Sequence, residues 1–295
     1  MLLPFEGPKD YIPIEISELE AYFYSLDLSN KQERLEAILK IAKKIPWTYR
    51  IPDVIDKLSD PALRAISRQY SSEIHFQRTL YCLKKLALSE RKFDYKSLEE
   101  GAFLISTATD SSENYEDFQR SLDRISAKVE ELYDINRVIL TDSIKLHLLS
   151  RVLYQEEGFT GNKVDYNNPE NSLITLVMQR KLGIPISLSI IQLLIASRLK
   201  LPIYGANFPL HFMLYYESKD FKSYIDPFHG GVLVNRDICK KFLEANGFPT
   251  APEDYHKPST VSILKRMLNN LIHNHRKMGK IELEKIYSSQ LLALQ

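Results

Sequence analysis

Residues 171–231, NSLITLVMQRKLGIPISLSIIQLLIASRLKLPIYGANFPLHFMLYYESKDFKSYIDPFHGG, constrain the fold more tightly than any other stretch of the chain. Two runs with apolar residues at helical spacing come first. An apolar segment ending in Phe208-Pro209-Leu210-His211 follows, and two short strand patterns then close on Asp226-Pro227-Phe228-His229-Gly230-Gly231. The order helix, helix, strand, strand predicts an α+β fold that carries a His and an Asp to strand ends. The uncharged run from Leu182 to Ser197 lies between Lys181 and Arg198 and is too short to span a bilayer comfortably, so it reads as a central buried helix.

A hairpin's register follows from its turn. Taking the polar break Glu217-Ser218-Lys219-Asp220 as the turn places Tyr216 opposite Phe221 and, counting back, His211 opposite Asp226. Directly opposed residues have Cβ atoms about 4.5–5.5 Å apart, which puts an imidazole and a carboxylate within hydrogen-bond reach. The same register gathers Phe212, Leu214, Tyr216, Phe221 and Ile225 on one face, the expected buried one. His211 and Asp226 share the other face with Met213, Tyr215, Lys222 and Tyr224.

The rest of the chain frames this stretch. Its 295 residues suffice for one large or two to three small domains. With 39 basic against 38 acidic residues the formal charge is +1, so no bulk field recruits nucleic acid or an anionic membrane, and neither is an expected partner. Cys82 and Cys239 are in no metal or redox spacing and read as reduced intracellular thiols. The opening MLLPFEGPKDYIP lacks a basic segment followed by an apolar run, so a cytoplasmic protein without a signal peptide is expected.

The first ninety residues read as helices, over Ile16–Leu26, Lys31–Lys44, Asp60–Tyr70 and Glu73–Leu88, with no evident chemistry; Cys82 there reads as a core filler. Three units are expected: a helical domain over 1–92, a central domain over 93–257 and a helical hairpin over 258–295. In the central part, helices are predicted at Ser97–Thr107, Tyr115–Tyr133 and Arg137–Glu156, the last stopping at Gly158. Asn171 or Ser172 is expected to cap the helix after the Asn- and Gly-rich loop. His273 and His275, two apart on a helix, point in different directions and are expected at the surface.

Gly158-Phe159-Thr160-Gly161-Asn162, Asp165-Tyr166, Pro169, Asn171-Ser172, Arg180, Gly183-Ile184-Pro185-Ile186-Ser187-Leu188-Ser189, Pro209, His211-Phe212 and Asp226-Pro227-Phe228 with Gly230-Gly231 together resemble the SirB1 family, a bacterial family of the transglutaminase-like superfamily. The resemblance runs from about residue 97 to 240. The closing run from Ile263 to Leu294 is similar to the tetratricopeptide-like helix pair that often follows this domain.

Transglutaminase-like folds use a Cys at a helix start, a His on one strand and an Asp or Asn on the next; the helix end and the His keep the thiol ionised for acyl transfer. The resemblance places His211 and Asp226 on the family's His and Asp positions. The helix that should carry the Cys begins near Pro185 and offers Ile186, Ser187, Leu188 and Ser189, with no cysteine. Ser187 is the nearest hydroxyl. It either completes a Ser187-His211-Asp226 set or, with Ser189, bonds to the free amides of the first helical turn. Asn171, Ser189, Pro209 and His229 are the further candidates for lining the cleft.

His211, Asp226 and His229 are metal-ligating types in no specific ligand spacing, so no metal and no cofactor is expected. Two positions depart from the family pattern. Leu210 and Lys200 stand where glycine is usual, and Leu210 is expected to narrow the cleft beside His211. The resulting expectation is a cysteine-less, non-catalytic module for a protein or peptide partner, with a hydrolase or amide-transferring enzyme as the alternative.

Overall fold

Side-chain caps fix where two of the leading helices begin. The computed structural model describes residues 15–27, 30–89, 92–110 and 113–295, so the expectation for the opening segment lies outside the described residues. Asn30 caps α2 (Lys31–Lys44), and Asp60 caps α4 (Pro61–Gln69), where Pro61 occupies a position that needs no amide donor. These helices, with α1 (Ile16–Tyr24) and α3 (Ile51–Ile55), enclose a core around Leu19, Phe23, Ile41, Ile45, Ile51 and Val54.

Helix α5 (Ser71–Ser89) leads into the principal core, to which Cys82, Leu83 and Leu86 belong. That core continues through α6 (Tyr95–Ser106), capped by Asp94, and α7 (Tyr115–Ile135), capped by Asn114. The single helix expected over Arg137–Glu156 is broken. A 3-10 turn at Arg137–Ile139 precedes α8 (Asp142–Ser150), and a wider π-turn, Arg151–Glu156, runs toward Gly158 at φ 78°. The break falls where the Thr141 hydroxyl accepts from the Ile144 amide, starting a new helix, and where Val138 and Ile139 find no core.

Neither Asn171 nor Ser172 caps α9 (Ile174–Arg180). Both lie in a 3-10 turn, Pro169–Ser172, that Asn168 caps, and the first amide of α9 donates instead to Ser106 Oγ on α6 at 2.8 Å. Helix α10 (Pro185–Arg198) is the central buried helix, with every residue from Pro185 to Ala196 inside. A helix apolar on all sides is stable only when surrounded, and each Ile or Leu there contributes about 1.5–3 kcal/mol by leaving water. Among the described residues no helix is long and apolar enough to cross a membrane.

Two short strands, β1 (Thr160–Gly161) and β2 (Leu182–Gly183), pair in parallel beside the start of α10. The main sheet is an antiparallel meander of β3 (Ile203–Ala206), β4 (Met213–Glu217), β5 (Lys222–Asp226) and β6 (Val232–Val234) in sequence order. Its hairpin register differs from the expected one: Tyr216 faces Ser223 and Leu214 faces Ile225. The turn is shifted because Glu217 still pairs with Lys222 and Ser218 closes the loop on Phe221. His211 therefore precedes β4 rather than lying directly opposite Asp226.

A two-residue shift leaves the faces unchanged. Leu214, Tyr216 and Ile225 pack into the principal core, as the alternation predicts. The other face is not open, however. Helix α11 (Arg236–Ala245) places Cys239 and Leu243 against Met213, Tyr215 and Tyr224, so both faces are covered. The closing hairpin, α12 (Thr260–Lys277) and α13 (Ile281–Ala293), packs on α6 and α5, with Leu264 set against Gly101. His273 is exposed, but His275 is buried and stacks on Tyr287 at 5.2 Å, because the α13 face lies on that side of α12.

Candidate functional site

Asp226 ends β5 and organises everything around it. Its Oδ1 accepts the amides of Phe228 and His229, at 3.1 and 3.3 Å, fixing the turn that follows the strand. Its Oδ2 takes two imidazole protons, from His211 Nε2 at 3.0 Å and from His229 Nδ1 at 2.8 Å. Burial alone would raise this carboxyl's pKa. The hydrogen bond and charge of His211, with those of His229, more than offset burial and hold it below the usual carboxylate range. Asp226 is thus an anion clamped between two imidazoles.

His211 lies three residues before Leu214, the last β4 residue paired with β5; continued by one step the register sets Asp226 opposite Met213, two residues from His211. A diagonal neighbour across a sheet remains within range of a long side chain, which is why the contact survives the shifted register. The imidazole is held edge-on by Phe228 and Phe242, with ring centres at 6.2 and 6.4 Å, and stays partly open to solvent. Phe228 is seated by Gly161: a Cβ there would stand 2.5 Å from the Phe228 ring, so the β1 backbone must be bare at this point.

The helix end is closed. Ser187 has no exposed surface, and its hydroxyl lies 2.5 Å from the Asn171 carbonyl and 3.1 Å from the Ile184 carbonyl while accepting the Ile184 amide at 3.1 Å. His211 is not among its partners. Asn171 is equally committed, donating to the Asp165 carbonyl at 2.7 Å and accepting from Asn162 at 3.1 Å. It shapes the wall of the helix start and exposes nothing. Ser189 is fully buried, and its hydroxyl has no protein partner among the described residues.

Cys239 comes nearest to supplying a thiol. Burial first, and the nearby charge of Asp226 second, push it up to about 12, so it stays protonated and unreactive at neutral pH. The ligand atoms of His211, Asp226 and His229 lie within 4.8 Å of one another, close enough to be drawn onto one ion. The two short contacts among them are hydrogen bonds to a single oxygen, which leave the second nitrogen of each imidazole outside the cluster.

Leu210 and Lys200, the two departures from glycine, adopt φ 64° and 54°, the left-handed region where a side chain is disfavoured. The Leu210 side chain is 68% exposed and points to solvent instead of filling the space beside His211. Pro209, one residue earlier, lines a separate cavity of about 540 Å³ together with Lys265 and Arg266 of α12. Sequence reasoning missed these two cations. They lie more than fifty residues from His211 in a helix with no motif, and only the tertiary packing of α12 brings them alongside.

A family model described as transglutaminase-like superfamily matches residues 116–269, just over half of the chain and the whole of the sheet and its flanking helices. A UPF0162 protein of Xylella fastidiosa (strain Temecula1 / ATCC 700964) is 34% identical over 134 residues, covering 43% of this chain and 48% of that protein. A UPF0162 protein of Vibrio cholerae is 28% identical over 187 residues, 62% and 68% of the two chains. F-box only protein 21 of Homo sapiens is 28% identical over 232 residues, 69% of this chain but 36% of that protein. The chain spans about half the length of the Xylella relatives it matches. No solved structure matches it.

Proposed function

The chain belongs to the transglutaminase-like superfamily, and we propose that it acts as a binding module for a protein or peptide partner, keeping the cleft of that fold without its acyl-transfer chemistry. The observation that carries this reading is the state of Ser187. Ser187, the hydroxyl at the start of α10 nearest the expected nucleophile position, is sealed from solvent and bonded to Asn171 and Ile184. A hydroxyl needs a general base within about 3 Å to become a nucleophile, and Ser187 spends its proton on a carbonyl. The paired imidazoles on Asp226 then serve as polar recognition groups at the mouth of the site, His229 being half exposed.

Several features agree with a module. The match to a protein of which it covers 36% fits a unit carried within longer chains. Helix pair α12–α13, read here as the tetratricopeptide-like hairpin of SirB1-type proteins, adds surface without reactive groups. The near-neutral charge favours neither nucleic acid nor membrane as a partner.

The test is direct. Incubation with activated esters and with glutamine-containing peptides should give no turnover above the uncatalysed rate, and Ser187→Ala should leave that baseline unchanged. Burst release of the leaving group with a mass increase on Ser187 would overturn the reading in favour of a Ser187-His211-Asp226 acyl enzyme.

A further inference from the structure

Arg266 stands in an unusual electrostatic position. Arg64 rests on the carbonyls of Leu58 and Ser59, whereas Arg198, with Glu99 and Asp123, and Arg180, with Glu170, meet carboxylates. Arg266 meets none among the described residues. Its Nη1 donates to Asn207 Oδ1 at 2.5 Å and to the Phe208 carbonyl at 2.6 Å, and its guanidinium carbon lies 5.4 Å from the Phe212 ring centre. Those contacts use one nitrogen. The Nε and Nη2 donors, the edge that grips a carboxylate in a two-pronged fashion, have no protein acceptor among the described residues.

The surroundings reinforce this. Arg266 lines an open depression of about 540 Å³, and no acidic residue lines it. Lys265, the neighbouring cation, also faces it and has no carboxylate partner among the described residues. Ser262 and Asn269 of α12 and Asn207 opposite supply neutral hydrogen-bonding groups. Ser262 belongs to the first turn of an eighteen-residue helix whose positive end adds to the same field. Burial has already pushed the Arg266 guanidinium down to about 10, the cost of desolvating a cation with no counter-charge.

We propose that this cavity is a carboxylate-recognition site, in which Arg266 grips the free carboxylate of a peptide chain end or acidic side chain and Lys265 supplies the second charge. The proposal rests on the binding reading above and names the partner's chemistry. It also ties the site to the histidine cluster. Asn207 and Phe208, which Arg266 holds, begin the segment that continues through Pro209 and Leu210 to His211, so an occupant of the cavity sits against the strut that delivers the imidazole.

Nuclear magnetic resonance titration of the full chain with N-acetyl-diglycine, its carboxamide and inorganic phosphate tests it. The carboxylate probe should shift resonances around residues 207–211 and 262–269, and the carboxamide should not. Lys265→Glu, which removes no hydrogen bond seen in the protein, should weaken the carboxylate probe by about tenfold or more by reversing a nearby charge. Arg266→Gln should abolish its binding, with Lys265→Glu as the control for any loosening of the Asn207 segment. Equal binding of carboxylate and carboxamide, binding of neither, or stronger binding of phosphate would overturn the proposal. An acyl-enzyme at Ser187 with carboxylate binding intact would overturn only the non-catalytic reading.

Discussion

His75 and His211 are both held by a neighbour, and the neighbours carry opposite charge. His75 is buried on α5, where Nε2 donates to the Thr107 carbonyl at 2.6 Å and Nδ1 accepts from the Arg78 guanidinium at 3.1 Å. Burial first, and Arg78 second, push its pKa down to about 4. Both nitrogens are occupied and the ring is neutral, a strut between α5 and the end of α6. His211 has a carboxylate for a neighbour, uses one nitrogen on it, and keeps part of the ring in solvent. What separates a structural imidazole from an available one is the charge of the group that orients it and the nitrogen left over.

The comparison is broken most forcefully at Asp226. Replacing it by Ala removes an acceptor for two backbone amides and for two imidazoles in a buried position. Loss of a cap costs about 1 kcal/mol, and loss of charge-assisted bonds about 1.5–3 more. Asp226→Ala should therefore cost about 3–4 kcal/mol in urea unfolding at pH 7. A cost below about 1 kcal/mol would mean that the cluster is held no more firmly than a surface loop, and the contrast with His75 would collapse. Because the carboxyl's pKa is lowered on folding, its contribution is full above the unfolded value of 3.8 and disappears only as the pH falls below it.

His75 sharpens the contrast from the other side, in a different pH window. Its folded value of about 4 lies below the ordinary 6.5, so between these the unfolded chain binds the extra proton. Stability should be full above pH 6.5, fall by about 3 kcal/mol as the pH drops toward 4, and then level off for this group. His256 and His275 are lowered as well, so the informative quantity is the difference between the wild type and His75→Gln. That variant should lose most of the slope between pH 6.5 and 4. An unchanged slope would show that His75 is not held neutral by burial and Arg78 in the folded chain.

The central helix α10 and the β4–β5 hairpin were legible because periodicity reports which face of each element is buried, whereas β3 and β6, which flank that hairpin, lay outside the two strands expected. The approach of His211 to Asp226 was legible despite a register misplaced by two residues, since an even shift keeps both on one face and long side chains reach diagonally. Features set by distant packing were not legible. Ser106 on α6 satisfies the start of α9, α11 buries the second face of the sheet, and α13 covers His275. The cavity of Lys265 and Arg266 belongs to the same class, because nothing near those residues in sequence announces the Asn207 segment they meet. Leu210 and Lys200 fall between. Their departure from glycine was visible, and the structure supplies the physical meaning, a left-handed backbone.

That backbone gives the finest distinction between the two histidines. His75 lies within a regular helix, whereas His211 is delivered by a residue at φ 64°, which costs a non-glycine side chain about 1–2 kcal/mol. Leu210→Gly relieves this strain and gives up little burial, since the side chain is 68% exposed; the added freedom of glycine in the unfolded chain returns about 0.4–1 kcal/mol. The net expectation is a gain of about 0.5–1 kcal/mol in urea unfolding. Lys200→Gly, at φ 54° after α10 and away from the cluster, should gain a similar amount and serves as the reference. If both variants gain stability but only Leu210→Gly weakens the N-acetyl-diglycine response, the strained residue is part of how the segment between Arg266 and His211 is positioned. If Leu210→Gly loses stability while Lys200→Gly gains, the Leu210 side chain makes a contact worth more than its strain, and the segment is fixed by packing instead.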